Sequence, residues 1–414
     1  MTAETQPTDA TVSDVAELAR TFNYWDHSLD ENPYPVLARL RNECPVAHSE
    51  ELGGYWEVTS YEGVRRVFAD PKSFSSRTLT LPPEGAPPLL IPETIDPPDH
   101  AKYRRVFTPY FSPRRVESLR ERTRDVAARL AADYVAAGAG DFVAAFAVPL
   151  PCTVFMEIAG FPIEDLEQLL EWKDRFMRDG VSDDAEKRQY VADHVMPAMM
   201  GYFNAALDAR EAMSSPPDDL LTALLRDEVA EGNPMTRDEI LNALLLMLAA
   251  GLDTVTATMG LSFEYLAQRP DIRRQLVADP SLIPSATEEF LRYFSIVNTC
   301  RQANIDAEVE GVLIKAGDYV NVSTTSAGRD ERQFHDADEF LITRTPNAHL
   351  AFGAGPHRCL GSHLARMEMA VALEEIHRVM PDYYLTPGHS STHHYGGVIG
   401  IDSLHLSIGE PSSS

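Results

Sequence analysis

Between Thr236 and Pro270 the chain contains no proline, and five consecutive residues, Leu244 to Leu248, are apolar. A helix that is apolar on every side cannot lie on a surface; it must run through an interior. Thr236 and Glu239 form a capping-box pattern that starts it, and Pro270 ends it. Such a helix spans about 45–50 Å, so the rest of the chain must wrap around it. With 414 residues, 44% of them hydrophobic, there is enough chain to do so. Asp253 and three nearby threonines interrupt the stretch too soon for a bilayer crossing. Gly251 costs about 1 kcal/mol of helix stability against alanine, a cost that makes sense if something must approach the backbone there. Asp253 is expensive in an apolar helix unless it is paired. It and Thr254 are therefore candidates for polar work in a dry site. The plainer readings are a salt bridge reaching the surface and a threonine bonding back to its own helix.

A second stretch constrains the chemistry. Phe352 to Arg366 reads Phe-Gly-Ala-Gly-Pro-His-Arg-Cys-Leu-Gly-Ser-His-Leu-Ala-Arg. Gly353 and Gly355 allow tight turns. Beyond Cys359, residues Leu364, Met367, Met369, Ala370, Leu373 and Ile376 can share a helix face. The thiol is thus expected at a helix N-terminus, where the dipole favours thiolate. Three readings stand: a buried structural cysteine, a zinc site with His357 and His363, and haem iron held by a thiolate, with Gly361 letting the helix lie close to the ring.

Elsewhere, helices are expected over 33–41, 61–69, 117–136, 142–159, 163–178, 187–213, 218–228, 271–278 and 284–293. Strands are expected at 54–60 with 47–48 as a possible partner, over 305–322 and over 396–406. This is an α+β chain, predominantly helical, with small sheets. It reads as one domain over 23–410 between a mobile tail at 1–22 and a short tail at 411–414. The Pro-rich apolar loop after Ser73 is expected to cover a site. His100 and Arg104 share the face of a helix that begins after Asp96-Pro-Pro-Asp. Glu289 and Arg292 lie one turn apart. A net charge of -27 argues against nucleic acid and anionic membranes as partners. Four scattered cysteines suit a reducing compartment, and the polar, acidic N-terminus is no signal peptide. A cytoplasmic protein is expected.

Phe-x-x-Gly-x-His-x-Cys-x-Gly resembles the haem-binding signature of the cytochrome P450 monooxygenases. Ala250-Gly-Leu-Asp-Thr254 resembles their oxygen-activation motif, Glu289-x-x-Arg292 their structural ion pair, and Asp-Pro-Pro-x-His100-x-x-x-Arg104 their haem-contacting helix. Gly-Leu-Asp-Thr-Val, Asp330-Glu-Arg332 and the Cys359 stretch are most similar to soluble bacterial terpenoid hydroxylases. The resemblance implies the P450 fold, with a long helix over haem b and iron held by Cys359. Around the haem it implies His100, Arg104, Ala250, Gly251, Arg301, Phe352, His357 and Gly361. Asp253 and Thr254 would deliver protons to bound dioxygen. Leu89, Leu90, Leu246, Val297, Thr299, Val398 and Ile399 would hold a small apolar substrate, terpenoid-like as a first expectation. In the camphor hydroxylase a tyrosine bonds the substrate ketone; here Pro88 stands next to Leu89 and Leu90. Electrons would come from NAD(P)H through a ferredoxin reductase and a small iron–sulfur ferredoxin. That ferredoxin would dock near Lys102, Arg104, Arg105, Arg114, Arg115 and Arg358. A peroxide-driven enzyme and a non-catalytic haem protein are the rival readings.

Overall fold

The computed structural model describes residues 14–81, 89–181, 184–230 and 233–409. Pro88 and residues 411–414, named above, lie outside the described residues. The expected N-terminal tail is shorter than 1–22. Val15–Thr21 is a helix, its first turn capped by the Asp14 carboxylate, and Leu18 and Phe22 are fully buried. Two apolar side chains without access to water outweigh the cost of ordering so short a segment.

The apolar stretch does run through the interior, but as two helices, Arg237–Gly251 and Thr254–Gln268. The expected capping box forms at Thr236 and Glu239. Between the two helices, Leu252 (φ -105°, ψ 0°) and Asp253 (φ -127°, ψ -41°) leave helical geometry. By length and apolarity 237–268 could cross a bilayer, contrary to the expectation above. Its packing answers the question: Leu244, Leu245, Leu248, Met259, Phe263 and Leu266 sit in the main core. The second helix packs on Gly400–Ser403, on Ser362–Val379 and on Ile283–Tyr293.

Ser362–Val379 buries Leu364, Met367, Met369, Leu373 and Ile376, with Ala370 half-buried beside them. It lies along Pro113–Ala137. That helix starts where the Ser112 hydroxyl accepts from the Arg115 N–H and Pro113 needs no partner. The expected helix over 187–213 forms, with a π-helical stretch inside it. Ala185–Tyr190 and Met196–Glu211 flank a wide turn at Val191–Val195. The helix expected to 228 stops at Arg226.

A five-stranded sheet forms a second, smaller core. Its spatial order is Val46–Ser49, Tyr55–Val58, Tyr319–Ser323, Asn298–Ala303, Phe74–Ser75. Tyr319–Ser323 runs parallel to Tyr55–Val58; the other pairings are antiparallel. Ala307–Val309 and Val312–Ile314 make the expected hairpin through Glu310 and Gly311, both at positive φ. The last expected hairpin does not form. Gly400–Ser403 pairs with Thr392–His394, whereas His405–Ile408 pairs with Tyr383–Leu385 and Ala139–Asp141. Only Leu404 separates the two strands, too short a link for a tight hairpin turn.

Candidate active site

The interior helices, the 352–361 loop and the Asn298–Ala303 strand line one cavity of about 2040 Å³, which opens to the surface near Asp26 and Glu51. Ordinary ligand pockets reach roughly 1,000 Å³, so this one has room for a prosthetic group and a substrate together. Cys359 forms part of its wall. The thiol is exposed to this cavity, whereas Cys152 and Cys300 are fully buried elsewhere.

The loop that presents Cys359 is held by its glycines and by one backbone bond. Gly353 (φ 64°) and Gly355 (φ 71°) adopt left-handed geometry. A Cβ on Gly355 would also stand 2.4 Å from the Phe68 carbonyl oxygen. The Cys359 N–H donates to the Phe352 carbonyl at 2.9 Å. The expected thiolate-favouring environment is only part of the balance. Burial pushes the thiol up, while the Gly361 N–H, Arg104 and Arg358 pull it back without cancelling the rise. Metal coordination would remove the proton outright. Among the described residues, His357 and His363 do not form a metal-binding cluster with Cys359, which removes support for the zinc reading.

Opposite stands the break in the interior helix. The Thr254 hydroxyl donates to the Ala250 carbonyl at 3.2 Å and lines the cavity. Asp253 pairs with Lys173 at 2.9 Å, and Lys173, 5% exposed, also reaches Asp174 at 2.7 Å. Burial works against the Lys173 charge, but the two carboxylates prevail and raise its pKa. Gly251 lines the cavity as expected, and a second neighbour also needs the space beside it. A Cβ there would stand 2.4 Å from the Phe155 ring, so an aromatic side chain takes the close approach.

At one side of the cavity lie Arg104, Arg301 and His357, with the His100 ring tilted against His357 at 4.1 Å between ring centroids. Arg301 is nearly buried and donates to the Cys300 carbonyl at 2.8 Å. His100 Nε2 and His357 Nδ1 are buried without a hydrogen-bond partner among the described residues. Burial, then the neighbouring His357 and Arg104, depress His100 to about 4. Glu93 is the carboxylate beside Arg301 and His357, at 3.6 and 3.7 Å, beyond hydrogen-bond length. A Cβ on Gly361 would meet nothing closer than Cys359 Sγ at 3.8 Å, so its face is open to the cavity. A soft thiolate donor, an open glycine face and under-used cationic donors fit a flat iron macrocycle bearing carboxylates.

Of the expected substrate residues, Leu90, Leu246, Val297, Thr299 and Val398 line the cavity. Leu89 is 43% exposed and is not on the wall. Ile399 is buried behind it, its N–H bound to the Ile296 carbonyl at 2.8 Å. Ala250 and Phe352 line the wall as expected. Sequence reasoning missed Lys173, Phe155 and Glu93, and also Glu368, a wall carboxyl that burial pushes far above its ordinary pKa. The strand carrying Thr299 and Arg301 was also missed. Asn-Thr-Cys-Arg-Gln-Ala shows no hydrophobic alternation, so the sequence held no signal for it; as a strand it puts residues 299 and 301 on one face.

The Cytochrome P450 family model matches residues 183–378. Mycinamicin IV hydroxylase/epoxidase of Micromonospora griseorubida is 37% identical, covering 79% of this chain and 82% of its own length. Vitamin D(3) 25-hydroxylase of Pseudonocardia autotrophica is 33% identical, over 86% of this chain and 89% of its own. The crystal structure of a Bacillus megaterium relative in complex with testosterone superposes with a TM-score of 0.82 at 30% identity. It covers 92% of this chain and 98% of the other.

Proposed function

We propose, from the premise that this chain belongs to the cytochrome P450 family and is one of its monooxygenases, that it oxidises an apolar scaffold of steroid or macrolactone size. The observation that carries this is the cavity of about 2040 Å³, which must hold the haem together with the substrate and runs from Cys359 as far as Trp25, Met177 and Val398. Relatives named for mycinamicin IV and vitamin D3 support the same size class.

Cys359 would hold haem b through its iron, and Arg104, Arg301, His100 and His357 would hold its carboxylates. Bound there, haem supplies iron-centred activation of dioxygen. The chain's own residues do the rest. Leu90, Leu246, Val297 and Val398 orient the substrate by shape and exclude water; Thr299 offers the polar contact among them. Thr254 sets a hydroxyl at the cavity wall and can turn it from the Ala250 carbonyl toward a reacting oxygen. Asp253 moves protons to Thr254 when it exchanges Lys173 for water. Electrons arrive from NAD(P)H through a reductase and an iron–sulfur ferredoxin. The ferredoxin docks where Lys102, Arg105, Arg114 and Arg358 are exposed, with Arg104 and Arg115 half-buried among them.

The test is the visible spectrum of the purified holoprotein, reduced under carbon monoxide and then titrated with ligands. A thiolate-type band and a high-spin shift with steroids or macrolactones, but not with monoterpenes, is the expected result. A shift confined to monoterpenes overturns the size assignment; an imidazole-type band overturns the role of Cys359.

A further inference from the structure

We propose that Glu93 is a built-in competitor for the cations that hold the haem carboxylates. The inference rests on the haem reading above. Glu93 lies on the cavity wall beside the cationic cluster. Its Oε1 is 3.6 Å from Arg301 Nη2, and its Oε2 is 3.7 Å from His357 Nδ1, the atom that otherwise has no partner. Both distances exceed hydrogen-bond length. The carboxylate is attracted by these groups without being locked to either.

The position is fixed by its own loop. Ile91 is fully buried and Thr94 nearly so; the Thr94 N–H donates to the Leu90 carbonyl at 2.9 Å, and its hydroxyl accepts from the Leu90 N–H at 2.9 Å. Glu93 therefore cannot drift far from the cluster. The other nearby carboxylate, Asp96, is engaged elsewhere, by the Ser75 hydroxyl at 2.6 Å and the Ser76 N–H at 2.9 Å. Arg301 spends another arm on the Cys300 carbonyl.

The charge balance follows. Haem b brings two carboxylates, and Glu93 adds a third. Two permanent cations, Arg104 and Arg301, face them. The Glu93 side chain is 30% exposed, so water softens the competition without removing it, and each of the three carboxylates weakens the hold on the other two. Glu93 sets the grip on the cofactor below what the cations alone would give. It also ties the seating of the 89–95 loop to the seating of the cofactor, because the carboxylate must yield part of Arg301 as haem enters.

The experiment measures haem transfer from the holoprotein to excess apomyoglobin, by stopped mixing and absorbance. It follows spectroscopic confirmation that each variant carries thiolate-ligated haem. Glu93→Gln keeps the shape and removes the charge. We expect it to release haem about tenfold more slowly than the wild type, the worth of one freed charge-assisted hydrogen bond. Glu93→Asp keeps the charge but shortens its reach, and its release should fall between the two. Release that is unchanged or faster in Glu93→Gln overturns the proposal, because Glu93 would then brace Arg301 and His357 for the haem. If Glu93→Gln does not fold, Glu93→Asp decides alone: slower release than wild type supports competition, and faster release refutes it. A wild-type protein without thiolate-ligated haem overturns the reading beneath, a separate failure visible before any transfer is timed.

Discussion

Two buried ion pairs flank the cavity, and they are built differently. Glu289 and Arg292 are both fully buried and meet through two bonds of 2.7 and 2.8 Å. Every remaining arm is used. Arg292 also donates to the carbonyls of Gly328, Ala337 and Glu339, while Glu289 accepts from the Leu341 N–H, Arg344 and Asn347. The pair thus fastens chain 328–347 to the Ile283–Tyr293 helix, just before the loop that presents Cys359. Lys173 and Asp253 are joined by one bond of 2.9 Å at the cavity wall, and Lys173 is shared with Asp174. A saturated pair can only be broken; a pair with a spare partner can be exchanged. The first serves the frame; the second, on the function proposed above, serves the reaction.

That contrast can be broken outright. Arg292→Leu leaves the Glu289 carboxylate buried beside orphaned carbonyls, and should cost about 3–5 kcal/mol, read as a lower melting temperature and poor haem content. A loss no larger than that of Lys173→Leu would erase the distinction. Asp253→Asn should do the reverse. Product formation falls about 100-fold, while the melting temperature and the carbon monoxide spectrum stay near wild type. Gly251→Ala tests the seam between the interior helices. Its methyl group meets the Phe155 ring, and the overpacking should cost about 1–3 kcal/mol, relieved in the double variant with Phe155→Leu.

The smallest effect is in acid. Burial raises the Glu288 pKa, but hydrogen bonds from His349 and Arg366 outweigh it and hold the group at about 2, against the usual 4.5. A carboxyl lowered by folding stabilises the fold above its unfolded value. That contribution fades as the pH falls from 4.5 through about 2. The melting-temperature gap between wild type and Glu288→Gln should therefore be open at neutral pH and close in that acid window. A gap that stays constant with pH would mean the contact matters for packing alone.

The cavity's two walls also differ in how legible they were. The Cys359 loop could be read because special backbone geometry requires glycine and iron chemistry requires sulfur, and both requirements appear as residue types at short spacing. Asp253 and Thr254 were legible because polar groups in an apolar helix demand a reason. Lys173 was not: it lies in an amphipathic helix among many charges, and only folding turns it inward. Gly251 was read for a close approach and does line the cavity; that Phe155 also presses on it was not legible, because Phe155 is distant in sequence. The unbroken helix over 236–269 failed on the same ground. No proline marks 251–253; Gly251 and Asp253 weaken the helix there without ending it, and the backbone yields to tertiary contacts. Likewise, alternation shows that 400–403 and 405–408 are strands but not which partners they choose.

The seam at 251–253 has a consequence for exchange with solvent deuterium. In most folds the central helix keeps its amide protons longest. Here the Asp253 side chain caps none of the second helix's first N–H groups, and they lie at the wall of the cavity rather than in packed core. The slowest amides should therefore fall in two blocks, one on each arm of the interior stretch, with a fast gap between them at the very centre of the molecule. A ligand filling the cavity would slow that gap first, making the middle of the protein the most sensitive reporter of its occupancy.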